Sequence, residues 1–324
     1  MTIFLLLTLL ARPADSRPAL EEQFRAIAKT AGGTVGVSVL HLESGRGASL
    51  HGNEPFPMAS VFKIAVAVEL SRRVDRGAVR LDQRIALAPA DMRAGGPLSE
   101  RAPHGDITLT VGELLEAMLV DGDNTAADAL MPLAGGPEVV TAQLDAAGLG
   151  DIRVDRPEIE LAFDANGVAA PPPRAAWSLS AIGRALNAVP PDARREAFAR
   201  FLADPRDTAT PDALVQLLRQ VEEGRGLSPE GRDRLLALMT RTRPGAQRLK
   251  GNLPAGTVVA HRTGTGADFG KANICTNDVG VVTLPGGRGH LAIAVLIKGS
   301  DRSLAAREKA IAAIARAAYD YWMR

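Results

Sequence analysis

The chain has 324 residues, room for roughly two domains or one large one at ~150 residues per domain. Its 46% hydrophobic content is that of a globular protein with a full core. A formal net charge of +1 argues against nucleic acid as an electrostatic partner, since that requires a basic face supplying many phosphate contacts.

The first residues, Ile3-Phe4-Leu5-Leu6-Leu7-Thr8-Leu9-Leu10, form an apolar run too short to span a bilayer. Ala11-Arg12-Pro13-Ala14-Asp15-Ser16 follows like the end of a secretory signal, so residues 1–18 are read as a signal peptide and the protein as periplasmic or secreted. Residues 20–31 have helical periodicity and stop at Gly32-Gly33. Residues 34–40 read as a strand, Glu43-Ser44-Gly45-Arg46 as a turn and residues 48–51 as the hairpin partner.

Residues 58–70 come next, apolar on nearly every side at helical length, as in a helix buried on all faces. A hydroxyl and an ammonium, Ser60 and Lys63, open it three positions apart, where side chains on a helix meet. Free backbone NH groups at a helix start favour an oxyanion. Burial lowers the pKa of a lysine, so a neutral amine there can take a serine proton. Ser60 is thereby a candidate nucleophile. The same S-x-x-K is also compatible with an N-capping serine and a lysine that snorkels to the surface.

Residues 78–106 are rich in Gly, Pro and charge, with short extended pieces at best, and read as irregular surface. Thr110 with Glu113 is a capping box opening a helix over 111–120, broken at Asp121-Gly122-Asp123-Asn124. Helices follow over 125–134 and 137–147. Residues 152–161 lack a clear period and read as a loop, and 169–174 are proline-rich. Further helices are expected over 181–187, 192–202, 211–222 and 229–240, the last two with a cap residue and proline in the first turn.

Strand patterns return at 257–263, 278–284 and 290–297, with connections short enough for antiparallel pairing, and 304–322 is a long amphipathic helix. Strands at both ends with helices between predict a discontinuous sheet domain, residues 19–57 and 208–324, around a helical one, residues 58–207. The functional site is expected in the cleft between them. The arginine-rich blocks 194–200 and 241–248 are read as solvated helix faces and loops. Cys275 is the sole cysteine, which excludes an intramolecular disulfide. The five histidines have no ligand spacing, so no metal site or other cofactor is expected.

Three further stretches accompany Ser60-Val61-Phe62-Lys63 in order: Gly122-Asp123-Asn124, Arg156-Pro157-Glu158-Ile159-Glu160-Leu161 and Arg262-Thr263-Gly264. Together they resemble the class A serine β-lactamase pattern of S-x-x-K, S-D-N, an acidic loop and K-T-G. Gln247-Arg248-Leu249-Lys250-Gly251, His261-Arg262-Thr263-Gly264-Thr265 and Thr276-Asn277-Asp278 look most like its Bacteroides-type, cephalosporinase-leaning branch.

The resemblance implies the β-lactamase/transpeptidase-like α/β fold, with an antiparallel sheet of about five strands flanked by helices and an all-helical subdomain. It implies a monomer that hydrolyses penicillins or cephalosporins through a Ser60 acyl-enzyme. Lys63 would act as base or proton relay, and Glu158 would activate the deacylating water. Backbone NH groups of Ser60 and Thr265 would form the oxyanion hole. Asn124 would bind the substrate's side-chain amide, and Arg262, Thr263 and Thr265, on the strand edge with Gly264, its carboxylate. Arg156 and Asp207 would tie the neck of the acidic loop.

Three departures stand out. Gly122 replaces the family's proton-passing serine, and Ala162 the asparagine that helps hold the deacylating water. The stretch from Glu158 to Asp207 is far longer than the family's loop, as if residues 163–205 carried an insertion. A D-alanyl-D-alanine peptidase or esterase, or a lactam-binding relative of impaired catalysis, is the alternative that these departures leave open.

Overall fold

The computed structural model describes residues 17–324. The expected signal peptide lies outside them, save for Arg17 and Pro18, which open the first helix, α1 (Arg17–Ala31). Strands β1 (Thr34–His41), β2 (Gly47–Leu50) and β3 (Phe56–Pro57) lead to α2 (Lys63–Asp75). A hairpin of β4 (Arg84–Leu87) and β5 (Ile107–Thr110) precedes α3 (Val111–Glu116), α4 (Asn124–Leu130), α5 (Pro137–Ala146) and α6 (Glu158–Asn166). Next come α7 (Leu179–Asn187), α8 (Pro191–Ala203), β6 (Thr208–Ala209), α9 (Pro211–Glu222) and α10 (Pro229–Thr240). The chain closes with β7 (Val259–Thr265), β8 (Asp268–Phe269), β9 (Ala272–Thr283), β10 (His290–Ser300) and α11 (Leu304–Met323).

The main sheet runs β2-β1-β10-β9-β7 with β8 paired to β9, and every pairing is antiparallel. Both faces are covered, and alternation along the central strand sorts side chains between them. Leu291, Ile293, Val295 and Ile297 of β10 pack under α1 and α11, while Ala292, Ala294 and Leu296 face the other core, which holds α2 and α9. Ala292 and Ala294 on that side let α9 approach β10 closely. The α/β fold expected from the sequence is thus the observed one. Among the described residues, no helix is long and apolar enough to cross a membrane.

Three expectations need correction. Residues 78–106 contain β4 and a 3₁₀ stretch, Pro97–His104, and bury Met92, Arg93 and Leu98. Residues 158–161 are helical, not loop, because Asp128, a carboxylate thirty positions away, caps the start of α6. Arg248 lies buried rather than solvated, whereas α8 does show an exposed charged face with Arg195–Asp192 and Arg200–Glu196 pairs.

One knot joins the parts. Phe56 and Pro57 of β3 pair with Ala209 and Thr208 of β6, and Met58 NH donates to Asp207 C=O (3.0 Å). The Asp207 carboxylate accepts from the NH groups of Asp155 (2.8 Å) and Arg156 (3.1 Å) and from Arg156 Nε (2.6 Å). Arg156 also reaches Asp164 (2.6 Å) and Asp204 (3.2 Å). Arg156 and Asp207 are each only 3% exposed, so the expected pair is a buried structural bridge and not a surface one. Arg156→Ala would strand the buried Asp207 carboxylate and is expected to cost about 3–5 kcal/mol. Urea unfolding measures this, and a loss under about 1 kcal/mol, the scale of a surface pair, would contradict it.

Candidate active site

Ser60 sits in a 3₁₀ turn, Ala59–Phe62, that runs directly into α2. Ala59 holds φ at +43°, a conformation that L-residues rarely adopt and that neighbouring structure must enforce. The enforcing contacts are visible. Asn277 Nδ2 donates to the carbonyls of Pro57 (2.8 Å) and Met58 (3.0 Å), tying the turn to β9. Gly264 brings β7 hard against it, since a Cβ there would lie 2.3 Å from Met58 O. Thr265, one residue on, is exposed to the cleft beside the partly exposed Ser60.

Lys63 rules out one reading of S-x-x-K, the surface lysine. It is fully buried, and its Nζ donates to Gly122 O (2.8 Å) and Asn124 Oδ1 (2.5 Å). It does not snorkel. Nor does Ser60 cap the helix: the N-cap of α2 is Phe62, with no side-chain cap. Burial pushes the Lys63 ammonium down to about 8 against the pull of Glu158, Asp123 and Asp128. About a tenth of the amine is then neutral near pH 7. Asn124 Nδ2 donates to Ala94 O (2.9 Å), which fixes its amide with the oxygen turned to Lys63.

Glu158 is the first residue of α6, whose N-cap, Pro157, offers no side-chain acceptor. Asp128 supplies one, taking the NH groups of Glu158 (2.7 Å) and Ile159 (3.3 Å). Burial raises the Glu158 pKa above its ordinary 4.5, partly offset by Lys63. Glu158, Ala162, Thr265 and Ala59 line one cavity of about 180 Å³, walled outside by Asn166 and Phe201. Glu158 and the Ser60 turn therefore face the same space.

Gly122 and Arg262 fit each other. Gly122 has φ +79°, and a Cβ built on it would lie 2.8 Å from Arg262 Nη2 and 3.2 Å from Nη1. The guanidinium occupies room that a side chain at position 122 would need. Arg262 is 2% exposed, and its Nε and Nη1 have no hydrogen-bond partner. Burial brings its pKa down to about 10. Thr263 is buried on β7 next to it.

The structure thus brings together Ser60, Lys63, Gly122, Asn124, Glu158, Arg262, Thr263, Gly264 and Thr265. Sequence reasoning missed three others: Asp128, Asn277 and Arg248. Arg248 donates from Nη2 to Thr265 Oγ1 (2.8 Å) and from Nη1 to the carbonyls of Gly264 (3.2 Å) and Asn277 (2.9 Å). Its loop is held by Leu249 NH on Asp278 (3.0 Å), itself bonded to buried His261 Nδ1 (2.8 Å). The joint occurrence of the stretches 247–251, 261–265 and 276–278 was the available signal, because they form one contact.

A serine at 122 must be placed against a guanidinium in a left-handed conformation. Gly122→Ser is expected to lower stability by about 1–3 kcal/mol. Arg262→Lys in the same chain should restore part of that loss. Thermal unfolding of both single variants and the double gives the coupling, and strict additivity would show that the two positions are independent.

A family model described as the beta-lactamase enzyme family matches residues 19–322. Beta-lactamase VEB-1 of Pseudomonas aeruginosa is 28% identical over 301 residues, covering 92% of this chain and 88% of that one. The extended-spectrum beta-lactamase PER-1 of the same organism is 28% identical over 309 residues, covering 95% and 88%. The crystal structure of a beta-lactamase from Chitinophaga pinensis superposes with a TM-score of 0.78 at 31% identity, covering 94% of this chain and 99% of that one. An ancestral class A beta-lactamase structure shares 34% identity at a TM-score of 0.74, covering 93% and 99%. The chain belongs to the beta-lactamase enzyme family, as a class A serine β-lactamase.

Proposed function

We propose that Ser60, Lys63 and Glu158 carry the hydrolysis of the lactam amide of penicillins and cephalosporins. The carrying observation is Lys63, fully buried, held by Gly122 O and Asn124 Oδ1, and brought to a pKa of about 8 one turn after Ser60. Its neutral amine takes the serine proton, or relays it, as Ser60 Oγ bonds to the lactam carbonyl carbon. The oxyanion turns to the backbone NH groups of Ser60 and Thr265. The C–N bond breaks, the nitrogen gains a proton, and an ester to Ser60 remains. Glu158 then takes a proton from water, whose oxygen attacks that ester and frees Ser60.

Substrate contacts follow the same geometry. Asn124 has one N–H left for the substrate's side-chain amide. Arg262, Thr263 and Thr265 meet its carboxylate, with Gly264 keeping the strand edge close to Ser60. Thr265 Oγ1 accepts from Arg248, so its own proton is free to point outward. That hydroxyl, that of Thr263 or a water serves the departing nitrogen in place of the serine absent at Gly122.

We also propose the domain division read from the sequence: a signal peptide over 1–18, a sheet subdomain from 19–57 and 208–324, and a helical subdomain from 58–207 with an insertion over about 163–205. We place the enzyme in the periplasm or outside the cell, as a monomer without a cofactor. The stretches around Arg248, Arg262 and Asn277 support the Bacteroides-type, cephalosporinase-leaning branch.

With benzylpenicillin, the parent protein should consume substrate with little or transient adduct by intact mass, and Ser60→Ala should show neither. A persistent adduct without turnover in the parent would indicate a penicillin-binding peptidase instead. The pH dependence is signed. Deacylation needs ionised Glu158, so it should fall on acidification through a pKa above 4.5. Acylation needs neutral Lys63, so it should rise as the pH approaches about 8. Single-turnover rates across pH test both, and a deacylation rate flat down to the ordinary glutamate range would contradict the buried base.

A further inference from the structure

We propose that Trp177 is a positioning residue for Glu158, and that the segment 167–204 orients α6 so that the acyl-enzyme is hydrolysed. The inference rests on the role given to Glu158 above. Two separate connections run from Trp177 to α6, one to its backbone and one to its apolar face.

The backbone connection passes through Arg93 and Asp128. Asp128 accepts the NH groups of Glu158 and Ile159, and its charge is paired with Arg93 Nε at 2.7 Å, the two side chains 8% and 5% exposed. Arg93 Nη1 is fixed by the carbonyls of Ala90 and Met92, both at 3.0 Å. The flat guanidinium stacks on the Trp177 ring at 4.9 Å from its centroid. Arg174 also lies over that ring, at 5.4 Å, and is itself paired with Asp91 at 2.7 Å. Trp177 Nε1 donates to Pro172 O (2.7 Å), which fixes the ring in its proline-rich loop.

The apolar connection is a small core of its own. Ile159 and Phe163, one turn apart on α6, pack with Ile182 of α7, and Trp177 and Leu186 pack against them. The Phe163 and Trp177 rings meet edge to face at 6.1 Å. Glu158 and Ala162 sit one position before these anchors and line the reaction cavity. The roll of α6 therefore decides where Glu158 points. Ala162 offers no hydrogen bond on the reaction side, so orientation depends on the opposite face. Beside that face lies a cavity of about 720 Å³, lined by Arg93, Asp128, Ile159, Glu160 and Trp177 among others, which leaves α6 room to shift if the indole is removed.

The test separates the two chemical steps by rapid-quench intact mass with benzylpenicillin on the full chain. Trp177→Ala should slow deacylation at least ten-fold while acylation stays within about three-fold, so that adduct becomes visible at steady state. Trp177→Phe, which keeps a ring against Arg93 and Phe163, should bring deacylation back to within about three-fold of the parent. Parent-like deacylation in Trp177→Ala, or an equal fall in both steps, overturns the proposal. Should that variant not be recovered folded, Arg93→Lys, which keeps the charge on Asp128 but loses the planar stack, must show the same selective loss in milder form. Glu158→Gln, run in parallel, must hold its adduct. If it deacylates like the parent, the role of Glu158 fails first, and that failure is distinguishable from failure of Trp177 alone.

Discussion

The buried carboxylate of Asp207 is the constraint on which the rest depends. It gathers the NH groups of Asp155 and Arg156 and the Arg156 guanidinium, while its own carbonyl receives Met58 NH. Three segments far apart in sequence are thus fixed at one point: the approach to Ser60, the approach to Glu158 and the return strand β6. Asp207 pays for this with φ at +53° and with a pKa raised by burial. Such strain persists only where the surroundings over-determine it. Ser60 and Glu158, the proposed nucleophile and general base, sit on different elements, and this knot ties those elements together.

Most of the architecture was legible because it is written in local pattern. Thr210-Pro211 and Ser228-Pro229 announce α9 and α10, and the capping box at Thr110 and Glu113 announces α3. The alternation of β10 and its short turns announce antiparallel pairing. The start of α6 was not legible, because its cap is supplied by Asp128, thirty positions earlier, and no local signal survives at Pro157. Arg248 was misread for a related reason. A cation flanked by Gly245 and Gly251 looks solvated until β7 and β9 close over it. Gly122 looked like an isolated departure, and Arg262 like one member of the carboxylate-binding set. Only their distance shows that one makes room for the other.

The long segment after Glu158, read from the sequence as an insertion, packs onto the core of the molecule. Through Phe163, Ile182 and Trp177 it gives α6 a core separate from both main ones. Through Phe198 against Phe269 and Phe201 beside the reaction cavity, α8 also braces the outer wall toward β8. If the first residue of α6 positions a water, as proposed, the helix gains more from a packed underside than from a loop free to move.

Electrostatics carries the argument one step further. Lys63, Arg262 and Arg248 are three buried cations around the cleft, and Glu158 is the carboxylate that faces two of them. Desolvating so much positive charge is costly, and both Lys63 and Arg262 register that cost as lowered pKa values. The buried Nε and Nη1 of Arg262 have no partner within the protein. A substrate bearing a carboxylate supplies what the fold withholds. Its charge relieves the desolvation of the guanidinium in a site whose dipoles need not reorganise. It also offsets the like-charge pressure that Arg262 exerts on Lys63, which raises the pKa of the amine, leaving less of it neutral near pH 7 but making the neutral form a stronger base. In the proposed mechanism, recognition of the anion and the protonation of Lys63 are therefore coupled through one pair of buried cations, and the glycine at 122 is what lets the larger of them fit.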